Sequence, residues 1–475
     1  MDGAFTLNNR TRLNNAPVPD NTLELTRDEM RALGYRVVDI LVEHFERLPD
    51  LPPACTGSRV ELEHILREPL PETGQDPAIA IQQLTEHVFT NMCHVDHPRF
   101  FAFVPSPGNF VSAMADALAA GFNPFVGTWL AGSGPAEIEL VTVDWLREIC
   151  GMPETAGGLF LSGGSMANLT ALAVARQIRL GGGFAEARVY FSDQTHSSID
   201  RALAVLGFRP EQIRRLPSDE HYRLPLEALE KAVAEDRASG KVPFCVIANA
   251  GSTNTGAVDP FPALAEFCRD RGLWLHADGA YGAASMLSAR GKAALAGIEH
   301  VDSLSLDPHK WLFQPFESGC VILRDRNLLR DTFRILPDYL RDAHRLREEV
   351  NFCDYGIQLT RGFRALKLWL SLKVVGAAAF RAAVDRGFEL AEVAERRLRE
   401  SGQWEILSPA QMAIVAFRHV GDDALNSQIA SELREGGYAF LSTTTLHGRT
   451  ALRLCTINPR TTVDDVIGTI ERMER

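Results

Sequence analysis

In "TRDEMRALGYRVVDILVEHFERL", Leu33, Val37, Val38, Leu41 and Phe45 recur at the spacing that puts apolar side chains on one face of a helix. Thr26 and Glu29 form a capping box at its start. The apolar face needs a surface to pack on. Pro52, Pro53, Pro69, Pro71 and Pro77 then cut the chain into short pieces, because proline fixes φ and removes a backbone donor. Past residue 135 the rhythm changes. The runs "RVYFSD" (188–193), "FCVIANAG" (244–251), "LWLHADGAY" (273–281), "SLSLD" (303–307) and "GCVIL" (319–323) predict buried strands. Segments 165–180, 197–206, 225–238 and 261–271 predict helices between the earlier strands. Such alternation predicts an α/β fold whose mainly parallel sheet is covered on both faces. Ligands in such sheets sit beyond the carboxyl ends of the strands. After residue 375 a long helix, strands near 412–418 and 450–457, and a closing helix at 462–474 predict a small α+β lobe. The chain shows no internal repeat and no low-complexity tract.

Length and charge narrow the function classes. At 475 residues the chain predicts two or three lobes sharing a large core. A net charge of −12, from 49 basic and 61 acidic residues, argues against binding a phosphate backbone, so no nucleic-acid partner is expected. Eight scattered cysteines without a CxxC pair predict reduced thiols and a cytoplasmic protein. The start, "MDGAFTLNNRTRLNNAPVPDNT", has no apolar signal core. The most apolar stretch, 113–132, is interrupted by Asp116, Asn123 and Pro124, so no membrane span is expected.

Four short stretches carry candidate chemistry. In "LFLSGGSMANLTALAVARQ", Gly163, Gly164 and Ser165 lie between an apolar run and a helix. They form either a phosphate cradle or a plain glycine turn, because a helix N-terminus offers unpaired N–H groups to an anion. His196, in "YFSDQTHSSIDRAL", is a ligand-facing imidazole or a helix cap. Asp278 ends a strand of large apolar residues, and its neighbours Gly279, Ala280, Gly282 and Ala283 are small. They leave room for a flat group whose ring nitrogen the carboxylate would keep protonated; the alternative is an aspartate that satisfies loop amides. Lys310, in "SLSLDPHKWLF", follows a strand together with Asp307, Pro308 and His309. Its amine either snorkels to water or acts as a nucleophile. A cradle, an imidazole, a carboxylate and an amine in one parallel sheet suit pyridoxal 5′-phosphate, with a Schiff base at Lys310 and Asp278 sustaining the ring as an electron sink.

The stretches "HPRFFAFVPSP", "LSGGSMANLTAL", "THSSIDRAL", "HADGAYGA", "DPHKW" and "LTRGFRALKLW" follow one another in an order that resembles the group II pyridoxal-phosphate-dependent decarboxylases, the family of aromatic-L-amino-acid decarboxylase. "DPHKW" is similar to that family's "NPHKW" Schiff-base motif. The resemblance implies the type I pyridoxal-phosphate enzyme fold, similar to aspartate aminotransferase, with a seven-stranded type of sheet. It implies a homodimer with shared active sites. The corresponding division is a helical dimerisation segment at 1–108, a large cofactor-binding α/β domain at 109–372 and a small α+β domain at 373–475. By the same resemblance Gly163, Gly164 and Ser165 would hold the phosphate, with Asp307 and His309 nearby. His196 would stack on the ring, Asp278 would pair with its nitrogen, Ala280 would pack against it, and Thr253 would lie beside the cofactor. No metal is expected.

Two departures from the family pattern bear on the reaction. In "FFAFVPSP" the relatives' tyrosine is Phe103, the next aromatic is Val104 and their threonine is Ser106. With Phe101 and Trp129 these positions would line an apolar pocket suited to an aromatic or apolar L-amino acid, unless they fill the core. The family's catalytic loop corresponds to 340–359, and an ungapped count places its proton-donating tyrosine at Phe352, three residues before Tyr355. Expected is therefore decarboxylation to the amine and carbon dioxide. A phenylalanine at the donor position would instead resemble the family's aldehyde synthases, which couple decarboxylation to oxidative deamination. An aminotransferase lacks support in an arginine for a second carboxylate, and a non-catalytic cofactor scaffold would require an idle Lys310.

Overall fold

The computed structural model describes residues 24–335 and 349–475, which form two compact units. One comprises the described residues through Arg47 together with Ser58–Thr90; the other comprises Leu48–Gly57 and Asn91–Arg475. The expected segment 1–108 is thus divided between them. Residues 48–57 and 91–108 join the second unit through backbone pairing. Ala54 bridges Cys93 and Phe100 bridges Phe440, while the Phe101 amide donates to the Phe440 carbonyl at 2.8 Å.

The first unit contains helices Arg27–Arg47, Arg59–Leu66 and Pro77–Gln83, none with a buried residue. The capping box read at Thr26 is formed. The Glu29 amide donates to Thr26 Oγ1 at 3.4 Å, and Glu29 Oε2 accepts the Thr26 amide at 2.8 Å. Val37 and Val38 remain exposed.

In the second unit the seven-stranded sheet is built from β1 (Gly157–Leu161), β2 (Ala187–Ser192), β3 (Ile213–Leu216), β4 (Val242–Asn249), β5 (Trp274–Asp278), β6 (Ser303–Leu306) and β7 (Gly319–Leu323). Their spatial order is β1-β7-β6-β5-β4-β2-β3. Strands β3, β2, β4, β5 and β6 pair in parallel, and β7 runs antiparallel to both β6 and β1. Every residue of β2, β5 and β6 is buried, which explains why charged residues are rare in them. Successive side chains enter opposite cores. Along β4, Cys245 and Ile247 join one apolar cluster while Val246 and Ala248 join the other. Strand β3 pairs along its length with β2 alone and exposes part of "IRRL", whose arginines guard it against pairing with another chain.

A second sheet follows in sequence: β8 (Trp404–Gln411), β9 (Ile414–His419), β10 (Ser442–Leu446) and β11 (Arg449–Cys455), ordered β10-β11-β9-β8 and wholly antiparallel. The amphipathic helices Ala377–Ser401 and Val463–Met473 cover it, burying Leu390, Leu398, Val466 and Ile470 with Val415 and Leu452. Among the described residues, no helix is long and apolar enough to cross a membrane. All eight cysteines are free thiols.

Candidate active site

Parallel strands deliver their chemistry at one edge. β1 ends into Gly163, Gly164 and Ser165, which open the helix Gly164–Leu180; β2 ends before His196, the N-cap of helix Ser197–Val205. β4 ends before Thr253, β5 ends on Asp278, and β6 ends before Asp307, His309 and Lys310. All of these residues, with Ala280, line one cavity of about 350 Å³, within the range of small-molecule sites.

Lys310 Nζ lies 2.9 Å from Asp307 Oδ2, and His309 Nε2 lies 3.7 Å from the same oxygen. His309 Nδ1 accepts the Ser318 amide at 3.1 Å, so its proton sits on Nε2, toward the carboxylate. Burial lowers the pKa of His309 against the opposing pull of Asp307. Asp278 is held at both oxygens. Oδ1 accepts the Ala280 amide at 3.2 Å and Ser305 Oγ at 3.3 Å, while Oδ2 accepts Asn168 Nδ2 at 3.1 Å. His196 Nδ1 accepts the Ser198 amide at 3.2 Å and meets Ser198 Oγ at 2.9 Å.

These groups fit pyridoxal 5′-phosphate. Asp307 Oδ1 is buried without a hydrogen-bond partner among the described residues, as expected of a group that completes its bonding with a ligand. A Cβ on Gly164 would stand 2.9 Å from both Ala280 Cβ and Asp307 Oδ2, so only glycine keeps this corner open. A Cβ on Gly319 would stand 2.4 Å from Gly163 Cα, so β7 can press directly against the turn. The helix beyond that turn directs unpaired N–H groups outward, toward an anion.

Other expected site residues lie elsewhere. Phe352 is fully buried in an apolar core, with the Arg361 guanidinium 4.7 Å from its ring centroid. Arg361 is held in turn by Glu139 Oε1 at 2.5 Å and the Phe160 carbonyl at 2.7 Å. Tyr355 packs edge-on against Phe352, and burial raises the pKa of its phenol. Neither lines the cavity. Residues 340–348 of the expected catalytic loop lie outside the described residues. Of the expected substrate pocket, Phe101 is buried with the second sheet, Ser106 is buried, Val104 and Trp129 are half-buried, and Phe103 is exposed with φ 52°. None lines the cavity of a single chain.

Sequence reasoning missed Asn168, Asn249 and His276. Asn168 and Asn249 line the cavity, and His276 is fully buried behind it. A histidine inside the apolar strand "WLHAD" is itself the signal, since a buried polar ring requires partners.

Burial pushes the pKa of His276 down from 6.5 to about 4. The unfolded chain therefore takes up a proton below pH 6.5 that the native state refuses until pH 4, and stability is lost as pH falls through that window. Acidification from pH 7.5 to 5 is expected to cost about 2 kcal/mol through this group. Asp259, pushed up to about 6 by burial, acts in the opposite direction. The informative measurement is therefore denaturant unfolding of wild type and His276→Gln at both pH values. An equally steep loss in the variant would clear His276 of responsibility.

Residues 61–420 match the family model described as pyridoxal-dependent decarboxylase conserved domain. The chain is 50% identical over 454 residues to an aromatic-L-amino-acid decarboxylase of Bacillus atrophaeus, covering 94% of this chain and 95% of that protein. It is 30% identical over 407 residues to a phenylacetaldehyde synthase of Petunia hybrida, covering 83% and 80%. The crystal structure of Oryza sativa TDC with PLP and tryptamine superposes with a TM-score of 0.91 at 27% identity, covering 96% of this chain and 98% of that one.

Proposed function

Because the chain belongs to the pyridoxal-dependent decarboxylases, amino-acid carboxy-lyases that work with pyridoxal 5′-phosphate, we propose that it converts an aromatic L-amino acid into the amine and carbon dioxide, with Lys310, Asp278 and His196 as its catalytic groups. The observation that carries this is their convergence on one cavity, with the Lys310 amine 2.9 Å from a buried carboxylate. When bound, the cofactor supplies an aldehyde carbon that an amine can attack and a ring that takes up the electron pair left by departing carbon dioxide.

Gly163, Gly164 and Ser165 would hold the phosphate beside Asp307 and His309. Lys310 would anchor the cofactor through its amine, which Asp307 holds at 2.9 Å. Asp278 would keep the ring nitrogen protonated, His196 would cover the ring face, and Ala280 and Thr253 would line the remaining walls.

Support for an aromatic substrate comes from the relative at 50% identity. That relative also favours amine over aldehyde, the product named for the more distant synthase. A cytoplasmic homodimer accords with the free thiols and with the exposed Val37 and Val38 of the first helix. The test is incubation of the cofactor-loaded protein with each of the twenty amino acids, assaying carbon dioxide, amine, aldehyde and peroxide, with light scattering for mass. Amine and carbon dioxide in equal amounts from phenylalanine, tyrosine or tryptophan are expected, from a particle of twice the chain mass. Aldehyde with ammonia and peroxide would make it an aldehyde synthase, and absence of carbon dioxide from every substrate would end the proposal.

A further inference from the structure

Behind Asp278 runs a buried line of polar side chains whose hydrogens can be ordered in one way. Trp274 Nε1 lies 2.8 Å from Ser303 Oγ, Ser303 Oγ lies 2.9 Å from His276 Nδ1, His276 Nε2 lies 3.0 Å from Asn168 Oδ1, and Asn168 Nδ2 lies 3.1 Å from Asp278 Oδ2. An indole N–H can only donate and a carboxylate can only accept. A hydroxyl can accept twice, so it is the carboxylate end that fixes the rest. Ser303 accepts from Trp274 and donates to His276 Nδ1, and His276 donates from Nε2 to Asn168, whose NH₂ then faces Asp278. Turning the amide over would set two oxygens 3.1 Å apart and two nitrogen donors together. Burial keeps His276 neutral, with a pKa of about 4, so it retains one donor and one acceptor.

Asn168 spends its second N–H on Ser198 Oγ at 3.0 Å. That hydroxyl has its own hydrogen left to give to His196 Nδ1 at 2.9 Å, which leaves the imidazole proton on Nε2. One fully buried amide thus reaches both the carboxylate at the ring nitrogen and the imidazole on the ring face. Asn168 lies one turn into the helix Gly164–Leu180, on the same face as Gly164 and Ser165.

The geometry points to Asn168 as a positioning residue that fixes Asp278 and His196 relative to each other, with His276, seated by Ser303 and Trp274, donating to its amide oxygen and so holding its NH₂ toward Asp278. This rests on the proposed roles of Asp278 and His196 toward the cofactor. Without the line, Asp278 Oδ2 loses its Asn168 partner and the carboxylate is held through Oδ1 alone, by the Ala280 amide and Ser305 Oγ.

The test uses holoenzyme loaded with ¹⁵N-labelled pyridoxal phosphate. It reads the ring-nitrogen resonance, cofactor affinity and the split between kcat and KM. Asn168→Leu keeps the volume and removes both donors. It is expected to move the resonance toward the unprotonated ring and to lower kcat roughly ten- to hundredfold with KM little changed. His276→Leu should move the resonance the same way. His276→Gln, which keeps a donor near the Nε2 position, should move it less. Should the leucine variants fail to fold, Ser303→Ala, which removes one hydroxyl, is expected to give a smaller shift of the same sign. A wild-type resonance and kcat in the folded variants would overturn the inference. Asp278→Asn separates the two levels. If it too leaves the resonance unchanged, the role of Asp278 fails; if it alone moves the resonance, only the positioning line fails.

Discussion

Lys310→Ala is expected to give a folded protein that binds the cofactor reversibly and has lost at least roughly a thousandfold in kcat, because the nucleophile itself is gone. The fold should survive, since the Lys310 side chain is 24% exposed and its neighbours Trp311 and Leu312 carry the apolar packing. A modest stability loss should accompany it. Asp307, 2% exposed, loses a charged partner at 2.9 Å, a change costing about 1–3 kcal/mol. Borohydride reduction followed by peptide mapping makes the check direct. Wild type should carry a pyridoxyl group on Lys310, and the variant should carry none. An adduct on another lysine in wild type would remove Lys310 from the chemistry.

Asp278→Asn is expected to lower kcat roughly ten- to thousandfold, the range that corresponds to losing a one- to three-unit pKa influence on the ring nitrogen. KM should change little, because the interaction strengthens as negative charge enters the ring. The substitution is nearly isosteric, and its oxygen can still accept from Ala280 and Ser305. Its new NH₂ would confront Asn168 Nδ2, a donor facing a donor at about 3.1 Å. Steady-state kinetics at full cofactor occupancy decide the matter. A near wild-type kcat would show that the ring nitrogen does not depend on Asp278.

The centre of the fold was readable in the sequence because β2, β5, β6 and β7 are buried along their whole length and β4 beyond its first two residues, so charged residues are rare in them. Two strands of this sheet escaped, as did β8 and β10 of the second. β1, "GGLFL", begins with glycines, and β3, "IRRL", is a short partly exposed strand with two charges. The motif residues from Gly163 to Lys310 come together at one edge because parallel strands all end there. Asn168 stayed hidden because a mid-helix asparagine carries no pattern until its depth is known. Counting residues back from "LTRGFRALK" could not foresee that Arg361 covers Phe352, since a count along the chain says nothing of which side chain turns inward. Phe101 to Ser106 are expected either to line a pocket or to fill the core, and the chain there twists through a positive φ at Phe103 that sends neighbours to different surroundings.

Strand β1 bonds along its length with β7, and the turn that follows it is sealed by Gly319. On the ribosome β1 emerges about 160 residues before that partner, a wait of roughly 8–30 s at ordinary elongation rates. The intervening strands of the parallel sheet can assemble during that time, but the glycine turn can gain its backing only when β7 arrives. A nascent chain stalled before Gly319 would already carry Lys310 and Asp278 and still lack a finished cradle. Cofactor capture during synthesis should therefore wait for β7, and until then the edge of β1 stays open to pairing with other chains.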